Sequence, residues 1–213
     1  MQGVSPSGIL TDPRGLSHQS AKIKETCVVC HSALCDPNFY VLLSRIDNDR
    51  AAEVRAAGCS CGGVLHSARY PRKPRAGPLQ YRQLDHTRLS FCCNRCRQRH
   101  TPRSVRYLGR RVYLGAVVLL ASALRSALSG KRLHELCVTL CVPRSTLDRW
   151  RAWWNSDFPT TPFWRARRAD FMPPVCAPLP AGLLARFTAA DEFAQLSQAL
   201  RFLAPLSTVT EGR

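Results

Sequence analysis

Apolar residues recur at helical spacing through much of the second half of the chain and lose that spacing in its middle. Tyr113 to Ser126, Lys131 to Leu140 and Arg144 to Trp154 place hydrophobic positions three and four apart. This predicts three helices, separated by Ser129-Gly130 and by Cys141-Val142-Pro143. Earlier, Tyr40, Leu43, Ile46, Ala52 and Val54 fit a helix over residues 39–57, interrupted at Asp47-Asn48-Asp49. Between residues 58 and 102 the helical period vanishes, and Val64 to Tyr70 and Arg88 to Phe91 read as short strands. Residues 1–38 mix Gly, Pro, Ser and His without a period and are expected to be largely disordered. Six prolines between Pro159 and Pro180 predict an extended linker over residues 159–187. Residues 188–213 read as a closing helix and tail, with Thr188 and Asp191 offering an N-cap and Phe193, Leu196, Leu200 and Leu203 sharing one face. The expected fold class is therefore α+β: a small β unit at 58–102, followed by an all-α unit of three helices at 103–158. Internal repeats are absent.

Charge changes the picture. The chain of 213 residues carries 31 Lys+Arg against 14 Asp+Glu, a formal charge of +17 and a pI near 10.2. That excess predicts a polyanionic partner, and the predominance of arginine favours phosphate, which the planar guanidinium grips in a two-pronged fashion. An acidic membrane surface is the competing partner, but no lipidation signal or basic amphipathic terminal helix supports it. The apolar run Val112 to Leu124 is shorter than the roughly 20 residues a bilayer span requires, and Arg110, Arg111 and Arg125 flank it. Arginines and one lysine between Arg69 and Arg111 face a single acid, Asp85, and are interleaved with Tyr70, Tyr81 and Tyr107. Such a stripe suits a surface that follows a phosphate backbone.

Eleven cysteines would fit a secreted disulfide scaffold, but residues 1–10 lack a charged segment followed by an apolar one. A reducing cytoplasm is the expected compartment, and there closely spaced cysteines read as metal ligands. Cys59-Ser60-Cys61-Gly62-Gly63 and Cys93-Asn94-Arg95-Cys96 supply two tight thiolate pairs, the four ligands that tetrahedral Zn2+ prefers. Cys92 competes with Cys93, and His66 and His100 are weaker alternatives. Cys27, Cys30 and Cys35 have no matching pair nearby, while Cys137, Cys141 and Cys176 read as small apolar residues.

Leu133 to Trp150 carries the pattern of two crossed helices, with Leu136, Leu140, Val142, Leu147 and Trp150 turned inward and Cys137 at the close approach. Pro143 suits the first turn of the second helix. Read as a helix-turn-helix, this places the N-terminal side chains of the second helix in a DNA major groove. Arg144, Ser145, Thr146 and Arg149 are the candidate base-reading residues, while Arg151, Lys131, Arg132, Arg99 and Arg103 are candidate phosphate contacts. Cys141 occupies the turn position where glycine is commonest, because a left-handed backbone there penalises a Cβ.

Cys59 to Gly63, Tyr70 to Arg75, Cys93 to Pro102, Leu108 to Tyr113 and Ser145 to Trp150 together resemble zinc-ribbon, helix-turn-helix proteins associated with bacterial insertion sequences. The resemblance covers Gly58 to Trp154. It implies binding of transposon or target double-stranded DNA, as the DNA-binding front end of a transposase or as an accessory protein with a separately encoded transposase as partner, and the bacterial nucleoid as the location. Nuclease chemistry of the RNase H type needs three carboxylates around two metal ions. After Trp154 the chain offers only Asp157, Asp170, Asp191, Glu192 and Glu211, without a run of buried strands, so no enzymatic activity is expected. A transcriptional regulator, or an RNA-binding or scaffolding ribbon, would fit the same composition.

Overall fold

The computed structural model describes residues 32–78, 81, 87–108, 113–125, 129–175 and 178–208. Helix α1 spans Pro37–Ala57. Asp36 caps it by accepting the Asn38 amide at 2.8 Å, Pro37 occupies the first turn, and Gly58 ends it at φ 69°, where a side chain would be strained. The expected interruption at Asp47-Asn48-Asp49 does not occur. Asn48 and Asp49 stay in solvent, while Asp47 is buried and its carboxylate is fully used. It accepts Ser104 Oγ at 2.6 Å, the Val105 amide at 2.7 Å and Arg106 Nε at 2.8 Å. Those bonds outweigh the modest helix penalty of three short polar side chains.

The turn after α1 leads into a three-stranded antiparallel sheet, β1 (Leu65–Tyr70), β2 (Arg88–Cys93) and β3 (Arg99–His100), ordered β1-β2-β3. Leu65 pairs with Cys93, Ser67 with Phe91 and Tyr70 with Arg88. One face therefore gathers Leu65, Phe91, Cys93 and Leu89, which pack with Cys59 against Ala51 and Val54 near the end of α1. The start of α1 belongs to a second, larger core through Phe39, Tyr40, Leu43 and Ile46, so a single helix joins both.

At the centre of the larger core lies α2 (Gly115–Arg125), in which Ala116 to Ala121 are all buried. A helix apolar on every side must be surrounded, and α2 is, by α3 (Gly130–Leu140), α4 (Arg144–Ala152), α6 (Ala181–Leu184) and α7 (Glu192–Leu203). No helix among the described residues is long and apolar enough to cross a membrane.

Two expectations are corrected here. Residues 159–187 are not an extended linker. After α4 the chain runs through a π turn (Trp153–Asp157) and a 3-10 turn (Phe158–Thr160) into α5 (Pro162–Arg167), then on to α6. The prolines start turns: Thr161 caps α5 by accepting the Trp164 amide at 3.1 Å, with Pro162 behind it. Aromatic residues anchor the segment, with Trp154, Phe158 and Trp164 buried and Phe171 and Phe187 both packed against Phe202. The second correction concerns residues 32–38, assigned to a disordered stretch. They are ordered, with Ala33 and Leu34 buried and the Leu34 carbonyl accepting Tyr40 Oη at 2.9 Å. The remaining residues of that stretch, with Cys27 and Cys30, lie outside the described residues, as does Cys176. In the closing helix Asp191, rather than Thr188, provides the cap by accepting the Ala194 amide at 2.7 Å.

Candidate metal centre and basic helical hairpin

The sulfurs of Cys59, Cys61, Cys93 and Cys96 lie within 4.8 Å of one another and can hold a metal ion. Three of the separations are 3.5 Å (Cys59–Cys96), 3.5 Å (Cys59–Cys61) and 3.4 Å (Cys61–Cys93). A tetrahedron with metal–sulfur bonds of about 2.3 Å has edges of about 3.8 Å, so the cage needs only slight expansion to take such an ion. Cys59 and Cys61 come from the turn between α1 and β1, Cys93 ends β2, and Cys96 sits in the turn before β3.

Local backbone chemistry holds the two turns together. Gly62, at φ 74°, returns its amide to the Cys59 carbonyl at 2.9 Å. Gly63 lies against the second turn: a Cβ there would stand 2.5 Å from Cys93 Sγ, 2.8 Å from Arg95 Cβ and 2.9 Å from Asn94 Oδ1. Asn94 bridges the turns by accepting the Val64 amide on its side chain at 2.9 Å and donating its own amide to the Val64 carbonyl at 3.0 Å. Arg95 adds a bond from its guanidinium to the Cys61 carbonyl at 3.1 Å.

The sulfurs are unequal. Backbone N–H groups of Cys96 and Arg95 point at Cys93 and, against the cost of burial, pull its thiol down to about 6. Cys96 receives the Gln98 amide, which favours its thiolate. Hydrogen bonding with the Cys59 and Cys61 sulfurs and burial outweigh that, and its thiol is pushed up to about 12. Neighbouring sulfurs at these distances cannot all carry charge unless protons or a cation lie between them. The competing ligands are elsewhere: Cys92 Sγ faces the carbonyls of Cys93 and Arg97 at 3.8 and 3.6 Å, and neither His66 nor His100 joins the cluster.

The candidate nucleic-acid residues divide. Helices α3 and α4 cross at a turn where Cys141 adopts φ 50° and the Val142 amide returns to the Cys137 carbonyl at 3.0 Å. Pro143 is the N-cap of α4 rather than its first residue. Leu133, Leu136 and Leu140 of α3 and Leu147 and Trp150 of α4 are buried. Arg144, Ser145, Arg149 and Arg151 line the solvent side of α4, and Lys131 and Arg132 are exposed at the start of α3. Thr146 is not available to a partner. It is only 3% exposed, and its Oγ1 accepts Arg149 Nη2 at 3.0 Å, so it positions the arginine instead. Arg99 stands apart on the outer sheet face, donating to Tyr70 Oη at 2.8 Å with its guanidinium over the ring. Arg103 is exposed on the segment after β3, lining a cleft with Arg50 and Arg201.

Gly62 and Gly63 were legible in the sequence as the turn after Cys61; Asn94 as a support of the cluster, Asp47 and Arg106 as a buried ion pair, and the convergence of Arg50 and Arg201 on Arg103 were not. The other residues are brought together only by tertiary packing. Comparisons with protein-family models, curated proteins and solved structures find no match.

Proposed function

We propose that this chain is a sequence-specific double-stranded DNA-binding protein that carries structural zinc and has no catalytic centre of its own. Cys59, Cys61, Cys93 and Cys96 hold Zn2+ in a ribbon formed by β1 to β3, and α3 and α4 act as a helix-turn-helix. Four thiolates without a place for water are the donor set of a structural rather than a catalytic zinc site.

The observation that carries this reading is the division of α4 into two faces. Leu147 and Trp150 fix the helix to the core, while Arg144, Ser145, Arg149 and Arg151 are exposed to solvent. The helix starts agree with it. Lys131, Arg132 and Arg144 place positive charge at the positive ends of α3 and α4, with no acid in either first turn. Each such cation costs about 0.3–1 kcal/mol against the helix dipole, a cost that a bound phosphate would reverse. A mobile-element role, with a separately encoded transposase supplying the chemistry in the bacterial nucleoid, fits a binder of this kind.

A gel shift with a randomised duplex pool tests the reading. Retention of a defined sequence at low salt, with weakening as salt rises and no matching retention of RNA, is the expected outcome. A zinc-loaded chain that ignores duplex DNA at low salt would refute it.

A further inference from the structure

Where the sheet meets the helical core, Arg50 of α1, Arg103 of the segment after β3 and Arg201 of α7 line one open cleft of about 650 Å³. Thr101 and Thr208 add hydroxyl groups, Ile46, Val54 and Pro102 add apolar wall, and Asp49 and Glu53 add two carboxylates to the lining. Three segments distant in sequence thus bring guanidinium groups together. Among the described residues the ion pairs are Arg106–Asp47 and Arg167–Asp170, so no carboxylate is in ion-pair contact with the three arginines, and with Asp49 and Glu53 in the same lining the cleft keeps an excess of one positive charge. Arg50 registers the crowding. Its guanidinium is held below the usual arginine range, first by burial and then by Arg201; Asp47 and Glu53 oppose this, and Arg103 adds the smallest push downward.

Like charges collected in a concave site lower their mutual repulsion by admitting an anion, and arginine forks match the oxygen geometry of phosphate. The volume exceeds what a bare ion fills and lies in the range of small-molecule sites, and the apolar wall suits an organic group attached to the ion. We propose that this cleft is a phosphate-ester site, built by Arg50, Arg103 and Arg201 and separate from the base-reading face of α4. The ester is either a phosphodiester of the nucleic-acid backbone or a small phosphate monoester; both present anionic non-bridging oxygens to the guanidinium groups.

Side-chain Nε–Hε signals of the arginines, followed by NMR in the full metal-loaded chain during titration with inorganic phosphate, test this site. Saturable shifts at Arg50, Arg103 and Arg201, not reproduced by chloride at equal ionic strength, are expected. Because Arg103 and Arg201 are exposed, the R103Q/R201Q variant retains the fold, and it should bind phosphate more weakly by about tenfold for each arginine removed. Displacement of phosphate by a duplex oligonucleotide assigns the ester to the nucleic-acid backbone; phosphate that stays in place when duplex saturates the chain assigns it to a small molecule. Chloride shifts equal to those of phosphate, or unchanged phosphate affinity in R103Q/R201Q, would overturn the site. Arg149→Ala relaxes base preference on α4 and leaves the phosphate titration intact, so failure here and failure of the DNA-binding reading give different results.

Discussion

Asp47 has the most demanding position of any residue in the fold. Its carboxylate is buried and ion-paired with Arg106, which also donates to the Thr87 carbonyl at 2.8 Å and so ties α1 to the start of β2. Removing one partner of a buried pair strands the other, which typically costs about 3–5 kcal/mol. Asp47→Ala should therefore lower the midpoint of chemical denaturation by an amount of that order, whereas Asp49→Ala, two residues along the same helix and in solvent, should leave it near the parent value. Equal midpoints for the two variants would mean that the Arg106 guanidinium finds water instead. Gly63 is demanding for a steric reason. An added methyl would sit 2.5 Å from Cys93 Sγ, and the nearby turn is pinned by the reciprocal Val64–Asn94 bonds, so the cysteine must give way. Gly63→Ala is expected to reduce bound metal to well below one ion per chain by atomic absorption; full occupancy would show that the cage opens without loss.

At the scale of elements, local signals survived wherever a segment's own pattern determined its burial. Two of the three strands, the three helices over 113–154 and the four cysteines were legible because alternation, 3.6-residue spacing and thiol spacing are all local properties, whereas the two-residue β3 is too short to carry a pattern. The continuity of α1 was not, since Asp47 is helical on account of Ser104, Val105 and Arg106, which lie far along the chain. Proline density misled for the opposite reason: Pro162 initiates α5 rather than breaking structure, and the evenly scattered Trp and Phe residues were the better guide. Thr146 was misassigned because helical position alone does not tell a buried hydroxyl from an exposed one. Its bond to Arg149 Nη2 fixes one arm of the guanidinium, and on the proposed DNA-binding reading that preorganisation favours selectivity. Arg149→Ala should relax preference at one position of a selected duplex by about 1–3 kcal/mol, while Arg103→Ala should weaken every sequence alike. Binding-site selection with both variants checks this, and an exchange of the two effects would reassign the roles.

The whole molecule rests on two cores of very different size, and the smaller one is built around the four-cysteine cluster. Ala51, Cys59, Leu65, Phe91 and Cys93 make up the buried part of the sheet cluster, too little apolar surface to hold three short strands by itself. In zinc-finger peptides a bound zinc ion supplies about 10–16 kcal/mol of apparent free energy at neutral pH, enough to decide whether such a unit folds. The larger core contains no candidate metal ligand set among the described residues, and it retains α2, α3, α4 and α7 around a fully buried centre. Stripping the metal with a strong chelator should consequently divide the molecule. Amides of β1 and β2 should lose hydrogen-exchange protection, together with the end of α1 beyond Ala51, while α2 and α4 stay protected. The boundary should fall near Asp47, because its bonds to Ser104, Val105 and Arg106 belong to the helical side. Arg88 makes the division less than complete by reaching the Ser207 carbonyl at 3.1 Å, so the first residues of β2 should be the last part of the sheet to open. Uniform loss of protection in both cores on chelation would mean that the sheet and the helices fold as one cooperative unit and that α1 transmits the metal's contribution along its whole length.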